Sequence, residues 1–344
     1  MQVSNQVKPS ACITAVEGYV PDFVLDNALL EKMVDTNDEW IQVRTGIRER
    51  RIFKKEGVGA SYMGIQAASN LLEKHNIDPA SIDMVVVATV TPDYVHYPGS
   101  SNIIAKAIGA RNAFAFDLQA GCSSFMFSMN TVARYIESGM YQRALIVGLD
   151  KMSSLVDYSD RATCILFGDG AGAVLMEANH EGYGLQDAYL RSDGTGVDYL
   201  HVPAGGSLNP ASEHTIRNKE HFMFQDGVPV YKFAVKNMVE AARIVLERNN
   251  LTAEDVDWVV SHQANKRIIE AAAERLKVPE EKLMFNIHKY GNTSNASMPL
   301  CLWEYQPQMK KGDKVLFISF GGGFAWGAVL MTWGYDTVET TEQA

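Results

Sequence analysis

The chain carries two copies of one pattern. Ala67-Ala68, Leu72-Glu73, Asn76, Asp83 and Val85-Val86 recur as Ala241-Ala242, Leu246-Glu247, Asn250, Asp257 and Val259-Val260, all at a single offset of 174 in a chain of 344 residues. Further on, Gly121-Cys122-Ser123-Ser124 lines up with Gly291-Asn292-Thr293-Ser294, and Gly172 to Met176 with Gly327 to Met331. The offset differs between blocks, so loops of unequal length separate the shared elements. A repeat of this length limits the fold severely, because each copy must bury its apolar face against the other. Strand and helix patterns alternate inside each copy, which predicts α/β layers around a largely parallel sheet. We therefore expect two halves, residues 1–180 and 181–344, related by a pseudo-twofold axis, with corresponding turns face to face and a ligand site between them.

Apolar periodicity predicts strands over 11–18, 83–90, 114–118, 144–148 and 164–176, and helices over 25–34, 59–75, 101–108 and from 125 to about 139. The last of these has no clearly polar face along Phe125, Met126, Phe127, Met129, Val132, Ala133 and Ile136, so it should be buried on most sides. Residues 35–51 hold four arginines and Trp40 in a surface-like stretch, which suits either a solvated loop or a place where an indole and guanidinium groups hold a nucleotide. Residues 151–163 and 187–227 are long enough to be functional loops. The tail from Thr337 is acidic and poor in apolar residues, so disorder is expected there.

Composition removes several function classes. A formal charge of -10 argues against a nucleic-acid partner, and no run of basic residues interleaved with aromatics offsets it. An acidic partner must dock on a local basic patch. The first nine residues are polar, without the core of a signal sequence, and no stretch of eighteen apolar residues occurs, so a cytoplasmic protein without a membrane partner is expected. Cys12, Cys122, Cys164 and Cys301 are widely scattered, which indicates neither a disulfide framework nor a metal site.

One of those cysteines stands apart. Cys122 follows the small-residue turn Ala120-Gly121 where an apolar strand stops and a buried helix starts, so unpaired N–H groups and the positive end of the helix dipole should favour its thiolate. Read alone, it is either a nucleophile or a small buried hydrophobe. In the second copy, a buried strand ends at His262-Gln263-Ala264-Asn265, and Asn292 occupies the turn that matches Cys122. Gly321-Gly322-Gly323 forms a third turn, in which a backbone N–H can approach a reacting carbonyl closely. If the halves abut, Cys122, His262 and Asn292 converge, and such a trio suits acyl transfer through a covalent thioester.

Five ordered motifs carry a resemblance. Asp38-Glu39-Trp40-Ile41 with Arg44-Thr45-Gly46-Ile47, Phe167-Gly168-Asp169-Gly170-Ala171-Gly172-Ala173, His262 to Asn265, Tyr290 to Ser294, and Phe320 to Phe324 with Trp326-Gly327 resemble β-ketoacyl-acyl carrier protein synthase III over nearly the whole chain. The resemblance implies a thiolase fold in αβαβα layers and a homodimer. It implies decarboxylative condensation of an acyl-coenzyme A primer with malonyl-acyl carrier protein, with coenzyme A thioester as substrate and no cofactor. It makes Cys122 the nucleophile, His262 and Asn292 the donors to the enolate, and the N–H groups of Cys122 and Gly322 the oxyanion hole. Trp40 and Arg161 match the residues that hold the adenine, with Arg44 beside them. Gly227 and Asn265 match pantetheine contacts, and Tyr97 and Phe320 the acyl pocket, Tyr97 acting across the dimer interface. Lys232, Arg267 and Arg275 match the carrier-protein docking patch, with Glu274 standing where relatives can have a basic residue.

The chain departs from the family at the nucleophile. Gly121 stands where alanine is common and Ser124 where glycine is common, so the primer pocket is expected to differ in shape. Within the same fold, a thiolase would need a second cysteine in the glycine turn, where this chain has Phe320 before Gly321. Elongating synthases pair the cysteine with two histidines, but Asn292 takes the second place. The remaining alternatives are a secondary-metabolite acyltransferase with the same triad and a catalytically idle acyl-coenzyme A binding protein.

Overall fold

The computed structural model describes residues 8–336, and the disorder expected from Thr337 onward lies outside them. Strands β1 (Ser10–Tyr19), β2 (Met84–Ala88), β3 (Phe114–Leu118), β4 (Arg143–Lys151) and β5 (Asp169–Asn179) form a sheet in the order β1-β5-β4-β2-β3. Strands β6 (Gly184–Ser192), β7 (Trp258–Ser261), β8 (Leu283–Met284), β9 (Lys314–Gly321) and β10 (Ala325–Thr332) form a second in the order β6-β10-β9-β7-β8. Each strand of the first sheet thus has a counterpart five places later, and the topology is duplicated as the sequence is.

The sheets are mixed rather than largely parallel. In the first, β3, β2 and β4 run parallel, whereas β5 is antiparallel to both β4 and β1. The second repeats this, with β8, β7 and β9 parallel and β10 antiparallel to β9 and β6. Antiparallel neighbours need no crossover helix, and β9 turns directly into β10 through the glycine turn.

Seven helices concern the site: α1 (Asp38–Thr45), α2 (Ser61–Lys74), α3 (Ser100–Ile108), α4 (Ser124–Glu137), α5 (Gly227–Arg248), α6 (Lys266–Leu276) and α7 (Ser297–Tyr305). On one outer face Met63, Ala67 and Leu71 of α2 and Ile104 of α3 meet Val85, Val87, Leu145 and Val147. Between the sheets, α4 and α7 fill the middle layer, where Met126, Met129, Val132 and Leu302 share a core with Val86 and Ile146 from one sheet and Phe317 and Val329 from the other. On the far face Val235, Met238 and Ala242 of α5 and Ala272 of α6 cover Val259, Leu316, Ile318 and Ala328. Adjacent strand residues therefore alternate between two buried layers, which is why these strands read as continuous apolar runs. The outcome is a thiolase fold with αβαβα layers.

Local expectations needed correction where polar side chains decide the boundaries. The helix expected over 25–34 shrinks to Asn27–Leu30, because Asp26 accepts from the Leu29 N–H and caps it, while Val24–Asp26 pairs with Glu49–Arg51. The strand expected over 164–176 starts at Asp169, since Asp160 caps a short helix over Arg161–Cys164. The excursion expected from residue 187 begins inside β6. Among the described residues, no helix is long and apolar enough to cross a membrane.

The arginine-rich segment holds a larger surprise. Arg50 has no exposed surface, and its guanidinium donates to the carbonyls of Leu25 (3.0 Å) and Ile165 (2.6 Å) and to Asn27 Oδ1 (2.9 Å). Burial lowers its pKa to about 10. One buried cation thus joins the N-terminal segment to the wall of the central cavity. Replacing it by alanine leaves those oxygens without their donor, so Arg50→Ala should lose about 3 kcal/mol of stability, read as a lower urea midpoint. A loss below about 1 kcal/mol would place the side chain in solvent instead.

Candidate active site

The duplicated turns meet at one cavity. Gly121, with a φ of 57°, reverses the chain after β3, Cys122 follows, and Ser123 stands at the N-cap of α4. The glycine turn after β9 lies directly against it: a Cβ on Gly121 would sit 2.5 Å from the Gly322 carbonyl oxygen, and one on Gly321 would sit 2.3 Å from the Cys122 nitrogen. Only glycine permits that approach. It brings the N–H groups of Cys122 and Gly322 close to the Cys122 sulfur.

The second half supplies the other groups. His262 follows β7 and is 2% exposed. Ser297 Oγ accepts from the Gln263 N–H (3.3 Å) and lies 2.8 Å from His262 Nδ1, so its own proton is free to point at Nδ1. In that arrangement a neutral ring carries its proton on Nε2. Burial pushes the His262 pKa down to about 4, so the ring is neutral at working pH. Asn292 is stitched to the 166–168 segment by its N–H to the Leu166 carbonyl (2.8 Å) and by its carbonyl, which accepts from Gly168 (3.0 Å). Its Oδ1 accepts from the Ser294 N–H (2.9 Å), which leaves the amide NH2 as a donor.

Cys122, His262, Asn292, Gly322 and Phe320 line a cavity of about 1300 Å³, together with Trp40, Arg44, Gly227, Asn265, Lys232 and Arg267. Arg44 and Arg161 both lie over the Trp40 ring, 4.3 and 4.8 Å from its centroid, but Arg161 is outside the cavity lining. Asn265 also caps α6 by accepting from the Arg267 N–H. Arg275 is exposed in a separate shallow groove beside Lys236 and Arg243. Tyr97 is 85% exposed and takes no part in the cavity of its own chain.

The expected thiolate needs correction. Burial pushes the Cys122 thiol up to about 11 and the Asp150 carboxylate acts in the same sense, while the Ser294 hydroxyl and the N–H groups of Gly322 and Cys122 pull it down. Exclusion of water outweighs the donors, so the resting group is a thiol. Cys12, Cys164 and Cys301 are buried and also shifted upward, so what distinguishes Cys122 is access to the cavity.

Sequence reasoning missed the supports behind these groups. Gln263 is fully buried; its Nε2 donates to the Ser261 and Met284 carbonyls, and its Oε1 accepts from the Asn286 and Ile287 N–H groups. Ser123 and Ser319 are 3.0 Å apart, and Ser319 Oγ donates to the Cys122 carbonyl (3.2 Å). A charged residue at the end of an apolar strand, as Asp150 is, was a legible signal of a polar support.

Residues 116–194 match the family described as 3-Oxoacyl-[acyl-carrier-protein (ACP)] synthase III, and residues 246–333 match its C-terminal part. A beta-ketoacyl-[acyl-carrier-protein] synthase III of Phocaeicola vulgatus is 53% identical over 329 residues, covering 96% of this chain and 98% of its own. The crystal structure of 3-oxoacyl-[acyl-carrier-protein] synthase III from Aquifex aeolicus VF5 is similar with a TM-score of 0.86 at 39% identity, covering 94% of this chain and 100% of that one. The priming beta-ketosynthase from the R1128 polyketide biosynthetic pathway is similar with a TM-score of 0.87 at 33% identity, covering 97% of this chain. More than half of the residues are shared along almost the full length of such a relative, and the chain belongs to the 3-oxoacyl-[acyl-carrier-protein] synthase III family.

Proposed function

We propose that this protein condenses an acyl-coenzyme A primer with malonyl-acyl carrier protein to give a 3-oxoacyl-acyl carrier protein, the first condensation of fatty acid synthesis. The observation that carries this reading is the single cavity onto which Cys122, His262, Asn292 and Gly322 open. In the first half-reaction the Cys122 sulfur attacks the primer thioester, its proton ends on the departing coenzyme A thiol, and the N–H groups of Cys122 and Gly322 hold the oxyanion. In the second, malonyl decarboxylation leaves an enolate whose oxygen needs fixed donors rather than a strong base. His262 through Nε2–H and Asn292 through its amide supply them. The enolate carbon attacks the acyl-cysteine and Cys122 leaves, taking up a proton.

The rest of the cavity suits such substrates. Trp40, Arg44 and Arg161 hold the nucleotide end of coenzyme A, Gly227 and Asn265 contact the pantetheine arm, and Phe320 borders the acyl pocket. Exposed Lys232, Arg267 and Arg275 receive the acidic carrier protein. The cycle needs no resident cofactor, and four unpaired cysteines suit the reducing cytoplasm. Tyr94, Val95 and Tyr97 are exposed together on one loop, as expected of a surface covered by a second copy in a homodimer.

The two half-reactions separate the roles. His262→Ala and Asn292→Ala should still form acyl-enzyme yet lose malonyl decarboxylation by roughly two to three orders of magnitude, measured as acyl label on protein and carbon dioxide release. Variants that fail to acylate while decarboxylating normally would reverse the assignment. A second expectation follows from burial of the imidazole. The unfolded chain binds a proton on His262 near pH 6.5 and the native site only near 4, so that contribution to stability is full above 6.5 and is lost as pH falls toward 4. Proton NMR should accordingly find the His262 ring neutral at pH 5; a midpoint near 6.5 would mean that water reaches it. Tyr97→Ala should raise condensation with longer or branched primers relative to acetyl, since each methylene newly buried gains about 0.8 kcal/mol. An unchanged primer profile would remove Tyr97 from the pocket.

A further inference from the structure

Resting on Cys122 as the nucleophile, we propose that Ser294 is a further catalytic residue, whose hydroxyl donates to the sulfur and stabilises its anionic form during acyl transfer. Ser294 Oγ lies 3.6 Å from Cys122 Sγ, within reach of a hydrogen bond to sulfur, and the residue is 1% exposed. Its backbone adopts a φ of 50°, a left-handed conformation that a non-glycine residue takes only when its surroundings hold it there.

Those surroundings are a buried carboxylate. Asp150, at the end of β4, has no exposed surface. Its Oδ2 accepts from both the N–H and the side-chain amide of Asn295, at 3.0 and 2.9 Å, which fixes the residue next to Ser294. Its Oδ1 accepts from the Thr89 and Thr91 hydroxyls and from the Val90 and Thr91 N–H groups. Asn295 Oδ1 in turn accepts from the Phe125 N–H in the first turn of α4 (3.3 Å), so one residue ties the Ser294 turn to the helix behind the nucleophile. Asp150 and Asn295 are positioning residues; Ser294 touches the reacting atom.

The need for such a donor follows from the site's own electrostatics. The titratable groups near the sulfur are Asp150, which opposes a negative sulfur and is a second acceptor for the Ser294 hydroxyl, and His262, which is neutral and shares the cavity. Neither supplies a positive charge. A hydroxyl donor is worth most in that setting, because a hydrogen bond to an ionised partner is stronger than a neutral one. In transfer, the S–C bond forms as the bond to coenzyme A breaks, and the Ser294 hydroxyl keeps its proton throughout. When Cys122 is later expelled by the enolate, the same donor meets the leaving sulfur.

The test uses the full protein with Ser294→Gly and Ser294→Ala. Glycine relieves the left-handed backbone and alanine keeps its strain, while both retain the N–H that orients Asn292. The readouts are the pH dependence of Cys122 alkylation by iodoacetamide, followed by peptide mass spectrometry, and the rates of acyl-enzyme formation and malonyl decarboxylation. We expect both variants to shift the alkylation midpoint up by about one pH unit and to slow acyl-enzyme formation roughly tenfold, the scale of one charge-assisted hydrogen bond, with decarboxylation within about twofold. An unshifted midpoint in Ser294→Gly would overturn the proposal, as would a loss confined to alanine, which would trace to the backbone. If the unaltered protein forms no acyl adduct on Cys122, the nucleophile assignment itself falls, and this inference with it.

Discussion

The site depends on two turns whose backbones touch. The Cys122 turn and the Gly321–Gly323 turn come from opposite halves of the duplicated chain, and their contact leaves no room for a Cβ at Gly121 or Gly321. Everything else serves to keep that contact in register. Sheets covered on both faces, with α4 and α7 trapped between them, give strand ends that cannot slide without dislodging a buried layer. Two N–H groups on such turns are fixed dipoles that need not reorganise as charge develops, which is the condition under which they are most effective.

Burial of the same region has an electrostatic cost. Water exclusion strengthens each hydrogen bond to a developing oxyanion, but it also raises the Cys122 pKa and lowers that of His262. The site accordingly rests uncharged at both groups, thiol and neutral imidazole. In the proposed reaction this favours the histidine, because a donor to an enolate must keep its proton and not act as a base. For the cysteine it is a handicap, against which the Ser294 hydroxyl and the N–H groups of Gly322 and Cys122 act.

The legible part of the molecule was whatever repeats or has a period. The offset between Ala67 and Ala241 revealed the duplication, and continuous apolar runs such as Val85 to Val87 marked strands buried on both faces. Gly121-Cys122 beside a buried helix and Gly321 to Gly323 after a strand pointed to the turns that meet at the cavity. What stayed hidden depends on long-range polar contacts. Arg50 looked like surface because charged residues usually are; its partners at Leu25, Asn27 and Ile165 are brought together only by folding. Antiparallel pairing of β5 leaves no mark in its apolar pattern, since both pairings bury the same faces. The rise in the Cys122 pKa was likewise invisible, for helix position can be read locally and desolvation cannot.

The duplication also explains how the supports are divided. Met84 of β2 and Trp258 of β7 correspond by the offset of 174, and they pair with Ala144 of β4 and Val315 of β9. Following both strands, Gly148 corresponds to Ser319 and Asp150 to Gly321. Gly148 lies against the Asn295 carbonyl and Asp150 clamps Asn295, so the first half's strand end supports the second half's turn. Ser319 donates to the Cys122 carbonyl and Gly321 lies against the Cys122 nitrogen, so the reverse also holds. Each half holds the other's reactive turn, and neither half alone completes a site. The asymmetry sits in what each position carries: a carboxylate grips the turn that follows Asn292, while glycine, without a side chain, faces the turn that carries Cys122. A carboxylate at the position of Gly321 would place a negative charge beside the Cys122 N–H, where it would oppose the oxyanion of the proposed transfer. The two copies can therefore share a backbone but not exchange these residues.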